Sequence, residues 1–211
     1  MPSKVSEAFT LRTYPYREAD LIVSFLTRDQ GRLRGIARSA RRQKNSFGSG
    51  LERLSLVQMD YYQKENVELV RLNSCDLVQS QFSLAGDYPS GVALDFIAEL
   101  SEQLLPPHEP NEKFFRLLAS VLESLRRQQG IWLPVTYFSL WAVRLSGFLE
   151  EMRIEEKSLA LAKDMLAKPV SQFDAAAWSK ETAQDLRRAL IHCIEIHIER
   201  RLLTARVLET L

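Results

Sequence analysis

The sequence predicts an α+β protein in which an N-terminal five-stranded β-barrel of the OB type is followed by an all-α helical domain. Short runs rich in Val, Ile, Leu, Tyr and Phe, separated by turn-forming residues, occupy the first eighty positions. From about Pro89 onward, apolar residues recur every three or four positions, which is typical of amphipathic helices. Of the 211 residues, 45% are hydrophobic and 26% are charged, a composition that excludes disordered, collagen-like and fibrous coiled-coil proteins.

Five strands are predicted in the first of two domains, residues 1–80. These strands are 8–14, 20–27, 33–40, 54–62 and 67–76. Five strands in about seventy residues cannot bury an open sheet of two layers, so a small closed barrel is expected. The OB type is the commonest five-stranded barrel, and a barrel like that of Src-homology-3 domains is the alternative.

The second domain, residues 81–211, is predicted to be helical. One helix ends at Pro106 and Pro107, and the next begins after Asn111, which is a favourable N-cap residue. The segment 134–146 is apolar nearly all round, so we expect it to be the central helix of the domain. The remaining helical segments are 154–167, 181–201 with Ser179 as its cap, and a short closing turn at 205–211.

The net charge of +1 conceals a marked asymmetry. Residues 1–50 contain ten Lys and Arg against four Asp and Glu, whereas residues 51–211 contain eighteen against twenty-three. Most of the excess lies between Arg28 and Lys44, where seven basic residues are opposed only by Asp29. Arginines at alternate positions of the predicted third strand project from one face, and the chain then enters a basic loop. The residues of this basic stripe are Arg32, Arg34, Arg38, Arg41, Arg42 and Lys44.

A basic stripe of this kind is suited to holding the phosphate backbone of a nucleic acid. Release of counterions drives such binding, and no particular base need be read. One alternative is a solvated edge strand protected by charge, although mixed signs would then be expected. Another is an interaction module whose stripe docks an acidic protein. Five aromatic residues are candidates for stacking on bases, and at least two of them are expected in the barrel core: Tyr14, Tyr16, Phe47, Tyr61 and Tyr62.

Side chains suited to catalysis or metal binding are sparse. Cys75 and Cys193 are too few for a disulfide framework or a four-thiolate zinc site, and they indicate a reducing, cytoplasmic setting. His192 and His197 lie about 140° apart around a helix, so they cannot bind one metal ion as an i,i+4 pair does. The helix at 181–201 is expected to pack through Leu186, Leu190, Cys193, Ile194 and His197. No phosphate-binding glycine loop, nucleophile elbow, signal peptide or membrane-spanning segment is found, so no catalytic residue, cofactor or membrane association is predicted.

The segment 11–62 resembles the start of the RecO family, the recombination mediator and annealing proteins of bacterial DNA repair. Residues 137–148, which end in Gly147 and Phe148, resemble the central helix of that family, and residues 199–211 resemble its closing basic turn and short helix. The likeness therefore covers nearly the whole chain. The matching positions of the N-terminal segment are Tyr16, Glu18, Asp20, Leu21, Thr27, Gly31, Arg32, Ala37, Ala40, Arg41 and 48–51.

The resemblance implies a non-enzymatic DNA repair factor. Such a protein binds single- and double-stranded DNA, anneals complementary strands, and with RecR helps RecA replace single-stranded DNA-binding protein. The family keeps a basic cluster at its C-terminal end, so Arg201 and Arg206 are expected to extend the DNA track if the two domains pack suitably. The alternative for these arginines is stabilisation of the negative end of a helix dipole.

Two departures from the family pattern bear on metal and partner binding. Family members commonly carry four metal-binding cysteines just after the Gly-Phe pair, whereas here Phe148 is followed within a few residues by the next predicted helix. The zinc segment is therefore expected to be absent. The family's central helix often has an arginine, implicated in gripping the acidic tail of single-stranded DNA-binding protein, where this chain has Tyr137. Arg144 is the only basic residue of the predicted helix, so the resemblance does not extend to that contact.

Overall fold

The computed structural model of the protein describes residues 3–64, 67–127, 130–150 and 152–211. Within these ranges the strands are β1 (Lys4–Tyr16), β2 (Asp20–Thr27), β3 (Gly31–Ala37), β4 (Leu56–Tyr62) and β5 (Leu69–Gln79). They form a closed barrel in the order β1-β2-β3-β5-β4. The β3 and β5 strands run parallel, and the other neighbours run antiparallel. This arrangement confirms the predicted N-terminal five-stranded barrel of the OB type.

The first strand is longer than predicted because it pairs with two neighbours. Residues 4–9 pair with β4, and residues 8–16 pair with β2, so one strand closes the barrel on both sides. An irregularity in the register between Thr10 and Arg12 accompanies the change of partner. Such bulges bend a strand and increase its twist, which a small barrel requires.

The third strand is shorter than predicted. It ends at Ala37 because the chain then turns, and the carboxylate of Asp20 accepts a hydrogen bond from the backbone N–H of Ser39 at 2.8 Å. Ser39 itself has a positive φ of 54°, which ends the extended conformation. Arg38 therefore lies in a turn, and the prediction that it alternates with the two earlier arginines on the strand is wrong.

The barrel interior is an apolar core in which aromatic rings are prominent. Phe25 and Tyr61 are fully buried and meet edge to face, with ring centroids 5.9 Å apart. The hydroxyl of Tyr61 lies 3.2 Å from that of Ser6, so its polar atom has a partner. Phe47 is also buried, which confirms that at least two of the five aromatic residues belong to the core. The buried cluster comprises Ala8, Val23, Phe25, Leu33, Ala37, Phe47, Val57, Met59, Tyr61, Val70, Leu72 and Cys75.

Helices follow the barrel, as predicted. In the described ranges they are α1 (Phe82–Ala85), α2 (Tyr88–Leu104), α3 (Glu112–Arg127), α4 (Trp132–Leu145), α5 (Glu156–Ala167), α6 (Gln184–His197) and α7 (Leu203–Thr210), with short 3-10 turns at Val170–Gln172 and Ala175–Ala177. Because α4 is buried along most of its length and packs against α5 and α6, the expectation of a central helix is confirmed.

The helix α6 is shorter than predicted, and three of the five residues predicted on its packed face are buried, Leu186, Leu190 and Ile194. It begins after Ala183, which has a positive φ of 51°, and Ser179 hydrogen-bonds with Thr182 instead of capping it. Cys193 is only partly buried and His197 is exposed, so the expectation that both are packed inside is wrong. The residues that α6 does bury are Leu186, Arg187, Leu190 and Ile194.

The chain divides into two compact units. One consists of Met1–Ser83 together with Ser101–Glu112, and the other consists of Leu84–Leu100 together with Lys113–Leu211. The segment Ser101–Glu112 therefore belongs with the barrel, although it lies about twenty residues beyond the last strand in sequence. The predicted domain boundary at residue 80 stays a prediction.

The segment Ser101–Glu112 is attached to the start of β3. Pro107 forms a parallel bridge with Arg32, whose backbone carbonyl accepts a hydrogen bond from the N–H of His108 at 2.9 Å. Gly31 has a positive φ of 73°, and a Cβ atom there would overlap the backbone carbonyl of Glu109. This contact requires glycine both for its conformation and for its lack of a side chain.

Candidate nucleic-acid interface

The arginines of β3 point away from the barrel interior. Leu33, Gly35 and Ala37 are buried, whereas Arg34 is exposed and Arg32 is half-buried. The alternation places the two arginines on one face, as the spacing predicted. The strand can therefore present two guanidinium groups on the outside of the barrel.

Arg32 is engaged in the protein's own structure. Its Nε donates a hydrogen bond to the backbone carbonyl of Leu105 at 2.7 Å. Burial lowers the pKa of Arg32, and the nearby positive charge of Arg34 lowers this pKa further. The charge of Arg32 still contributes to the local field, but its orientation is fixed by the segment Ser101–Glu112.

Arg34 faces a buried carboxylate that the sequence did not reveal. Its Nη2 lies 3.4 Å from Oε1 of Glu102, whose side chain is 3% exposed against 43% for Arg34. The hydroxyl of Tyr14 donates to the same carboxylate, at 2.8 and 2.9 Å from its two oxygens. Burial raises the pKa of Tyr14, and the hydrogen bond to Glu102 raises it further.

The loop that follows β3 carries the remaining basic residues of the barrel. Arg41 is tied down, since its Nη1 donates to the carbonyl of Glu18 at 3.2 Å. Within the described part of the chain, the exposed side chains of Arg38, Arg42 and Lys44 have no ion pair or hydrogen bond. Three cations without an acidic partner are therefore available on this loop.

A side-chain cap orders the end of that loop. The amide of Asn45 donates to the carbonyl of Arg42 at 2.8 Å, and its oxygen accepts from the N–H groups of Phe47 and Gly48. Because Phe47 is buried, this turn anchors the loop to the barrel core. The free cations thus project from a loop held at both ends.

The C-terminal arginines lie in the helical unit. Since α6 ends at His197, Arg201 is beyond its last turn, contrary to the predicted helix at 181–201. Its Nη1 lies 2.5 Å from Oε2 of Glu195, whose other oxygen accepts the N–H of Leu202. Arg206 is exposed on α7, and together with Arg188, His192 and Arg201 it lines a groove of about 290 Å³. The structure brings Arg201 and Arg206 to one groove.

Tyr137, which stands where the family often has an arginine, packs inside the helical unit. Tyr137 is buried, and its hydroxyl donates to the carbonyl of Lys168 at 3.2 Å. Burial raises the pKa of this phenol. Tyr137 therefore serves the packing of α4 and is closed to a partner protein.

Cys75 belongs to the barrel core, whereas Cys193, His192 and His197 line one pocket of about 410 Å³ beside Phe148. Cys75 is buried and donates to the carbonyl of Phe47, and burial raises its thiol pKa to about 11. The ring of His197 stacks on Phe148 with centroids 3.8 Å apart. Among the described residues, no group of three or more His, Cys, Asp or Glu side chains is placed to hold a metal ion. In the same ranges, none of the helices has the length and apolarity needed to cross a membrane.

An OB-type barrel with a basic strand and loop, joined to a helical unit, defines a class of nucleic-acid-binding protein. A family model described as Recombination protein O N terminal matches residues 1–81, and one described as Recombination protein O C terminal matches residues 86–153. The DNA repair protein RecO of Koribacter versatilis (strain Ellin345) is 37% identical over 242 positions, which cover 99% of each chain. The chain belongs to the RecO family of DNA repair proteins.

More distant relatives match part of the chain. The DNA repair protein RecO of Cutibacterium acnes (strain DSM 16379 / KPA171202) is 36% identical over 126 residues, covering 59% of this chain and 51% of that protein. That of Anaeromyxobacter sp. (strain K) is 29% identical over 142 residues, covering 67% of this chain and 56% of that protein.

The length of the Koribacter alignment bears on the expected loss of a segment. This chain has 211 residues, so at least 31 of the 242 aligned positions are gaps in it. The relative therefore has residues that this chain lacks. The expectation that a zinc segment after Phe148 is missing stays a prediction.

Proposed function

We propose that this protein is a non-catalytic recombination mediator that binds single- and double-stranded DNA and anneals complementary strands. With RecR, it helps RecA replace single-stranded DNA-binding protein in the cytoplasm, and it needs no cofactor. Family membership supports a role in DNA repair. The observation that carries the DNA-binding step is the set of exposed cations without acidic partners, Arg38, Arg42 and Lys44, beside the arginines of β3.

The proposed DNA site on the barrel consists of Arg32, Arg34, Arg38, Arg41, Arg42 and Lys44. Its members differ in how freely they can move: the loop cations are unrestrained, whereas Arg32, Arg34 and Arg41 have partners within the protein. We infer that the loop supplies most of the phosphate contacts and that β3 supplies fixed positive charge. Binding of this kind is independent of sequence.

Binding and annealing assays test the proposal directly. We expect the protein to bind random oligonucleotides with an affinity whose logarithm falls linearly with the logarithm of salt concentration. We also expect it to accelerate pairing of complementary strands coated with single-stranded DNA-binding protein. A module that only docks an acidic protein would bind the coating protein but neither naked DNA nor the paired product. That outcome would replace DNA binding with protein docking.

Arg201 and Arg206 are proposed as further DNA contacts, on the helical unit. Replacing both with alanine should lower DNA affinity and reduce the salt dependence by up to about two units of slope. Replacing Lys157 and Lys163 with alanine is the matched control, because it removes two positive charges from exposed side chains of α5 that do not line this groove. If the double variant lowers only the melting temperature and its binding isotherm matches that of the wild type, the track ends at the barrel.

A further inference from the structure

A further arginine, Arg12, joins Arg34 of the basic stripe at the ring of Tyr14, and Arg12 lies outside the basic run that the sequence singled out. The guanidinium carbon of Arg12 lies 5.2 Å from the centre of the Tyr14 ring, and that of Arg34 lies 5.7 Å from it. Two cations from different strands therefore share one aromatic ring, whose hydroxyl is fixed by Glu102.

The strand register explains why these side chains meet. Arg12 on β1 pairs with Ser24 on β2, and Ser24 pairs with Arg34 on β3, so the three residues form one row across the sheet. Neighbouring strands are about 4.8 Å apart, which puts the two arginine Cα atoms roughly 10 Å apart. Because both guanidinium groups lie against one ring, their carbon atoms are at most about 11 Å apart.

The charge of this group is poorly compensated. Arg12 is exposed, and among the described residues its side chain has no ion pair or hydrogen bond. Burial lowers the pKa of Arg32, and the positive charge of Arg34 lowers it further. Burial also lowers the pKa of Arg53, and the positive charge of Arg12 lowers it further. Glu102 is the carboxylate that approaches Arg34.

An acidic side chain at the edge of the group does not neutralise it. Glu68 lines a small pocket of about 130 Å³ beside Arg32 and Arg34, but no ion pair joins it to either of them among the described residues. Guanidinium groups of which Arg34 has the carboxylate of Glu102 and Arg12 has no acidic partner among the described residues are suited to an anionic ligand.

We propose that Arg12 and Arg34, held on the ring of Tyr14, form one binding point for a backbone phosphate of DNA. This inference rests on the proposed function and adds Arg12, from β1, to the residues that contact DNA. Glu102 acts as a positioning residue, because it holds Tyr14 and Arg34 through its buried carboxylate. The DNA path then crosses from β3 over β2 to β1, in addition to the loop after β3.

The test compares the salt dependence of DNA binding in single variants of the full chain. Arg12→Ala should weaken binding to any sequence about three- to ten-fold and reduce the slope by about one unit, as expected for one lost phosphate contact. Arg12→Gln, which keeps part of the stem over Tyr14, should behave alike, and Arg12→Lys should keep the wild-type slope because it keeps the charge.

Arg28→Ala is the matched control. Like Arg12→Ala, this variant removes one positive charge from the barrel. Because Arg28 lies 3.1 Å from the carboxylate of Glu7, we expect the salt-dependence slope of Arg28→Ala to equal that of the wild type. Equal slopes for Arg12→Ala and Arg28→Ala, in a protein that binds DNA normally, would overturn the inference and leave the proposed function standing. A wild-type protein without salt-dependent binding would overturn both.

Discussion

Replacing Arg38, Arg42 and Lys44 together with alanine weakens DNA binding on the order of ten- to hundred-fold near 0.1 M salt and reduces the salt-dependence slope by about three units. We expect this result because each of the three side chains is exposed and without an acidic partner among the described residues. The free energy of unfolding should not fall, since the variant loses no hydrogen bond or ion pair and relieves like-charge repulsion. Fluorescence titration at four salt concentrations, with urea unfolding alongside, measures both quantities.

The control removes the same charge from another part of the chain. Lys113, Lys157 and Lys163 are exposed on α3 and α5, their side chains have no ion pair or hydrogen bond among the described residues, and alanine at all three gives the same net charge as the loop variant. If this control weakens binding as much as the loop variant does, the loop has no specific role and the effect is one of overall charge. A loop variant that binds as tightly as the wild type would remove the loop from the DNA site.

Replacing Gly31 with alanine should destabilise the barrel by about 3 kcal/mol, because two costs add. A left-handed backbone conformation costs an alanine about 1 to 2 kcal/mol, and the new methyl group must also displace the backbone of Glu109. Urea unfolding measures the loss. Amide hydrogen exchange at His108, whose N–H is bonded to the carbonyl of Arg32, should accelerate at the same time.

Gly48 provides the matched control for this substitution. It too has a positive φ, 51°, but no atom lies within 4 Å of the position that a Cβ would take. Gly48→Ala should therefore cost about 1 kcal/mol for conformation alone. Equal losses for the two variants would mean that the contact between Gly31 and Glu109 contributes nothing to stability.

The barrel and its helices were predictable from sequence because local patterns encode them. Apolar residues at strand spacing, broken by Asp29 to Gly31 and by the loop at 48–50, gave five strands in nearly correct positions. Strand ends were less predictable, since they depend on partners elsewhere. β1 extends to Lys4 because β4 is there to pair with it, and β3 stops at Ala37 because Asp20 binds the following turn.

The candidate site was only partly predictable for a similar reason. The excess of arginine between residues 28 and 44 is visible in the sequence. The sequence does not show which of these arginines have partners within the protein. Glu102 is 68 residues from Arg34 and 88 from Tyr14, within a helix whose apolar spacing drew attention to other positions. Likewise, the helix predicted at 181–201 includes Arg201. In the structure α6 ends at His197 and Glu199 has a left-handed backbone conformation, so Arg201 lies outside the helix. No local pattern reports these pairings.

The attachment of Ser101–Glu112 to β3 has a consequence for folding during synthesis. The last strand of the barrel ends at Gln79, yet the residues that seal the start of β3 are made about thirty residues later. At translation rates of about 5 to 20 residues per second, the nascent barrel waits roughly 2 to 6 seconds with that strand end uncovered. During this interval Gly31 and Arg32 pair with β2 on one side and leave their other backbone edge uncovered, a feature that favours pairing with another chain. The barrel is therefore completed only after the segment Ser101–Glu112 has been synthesised.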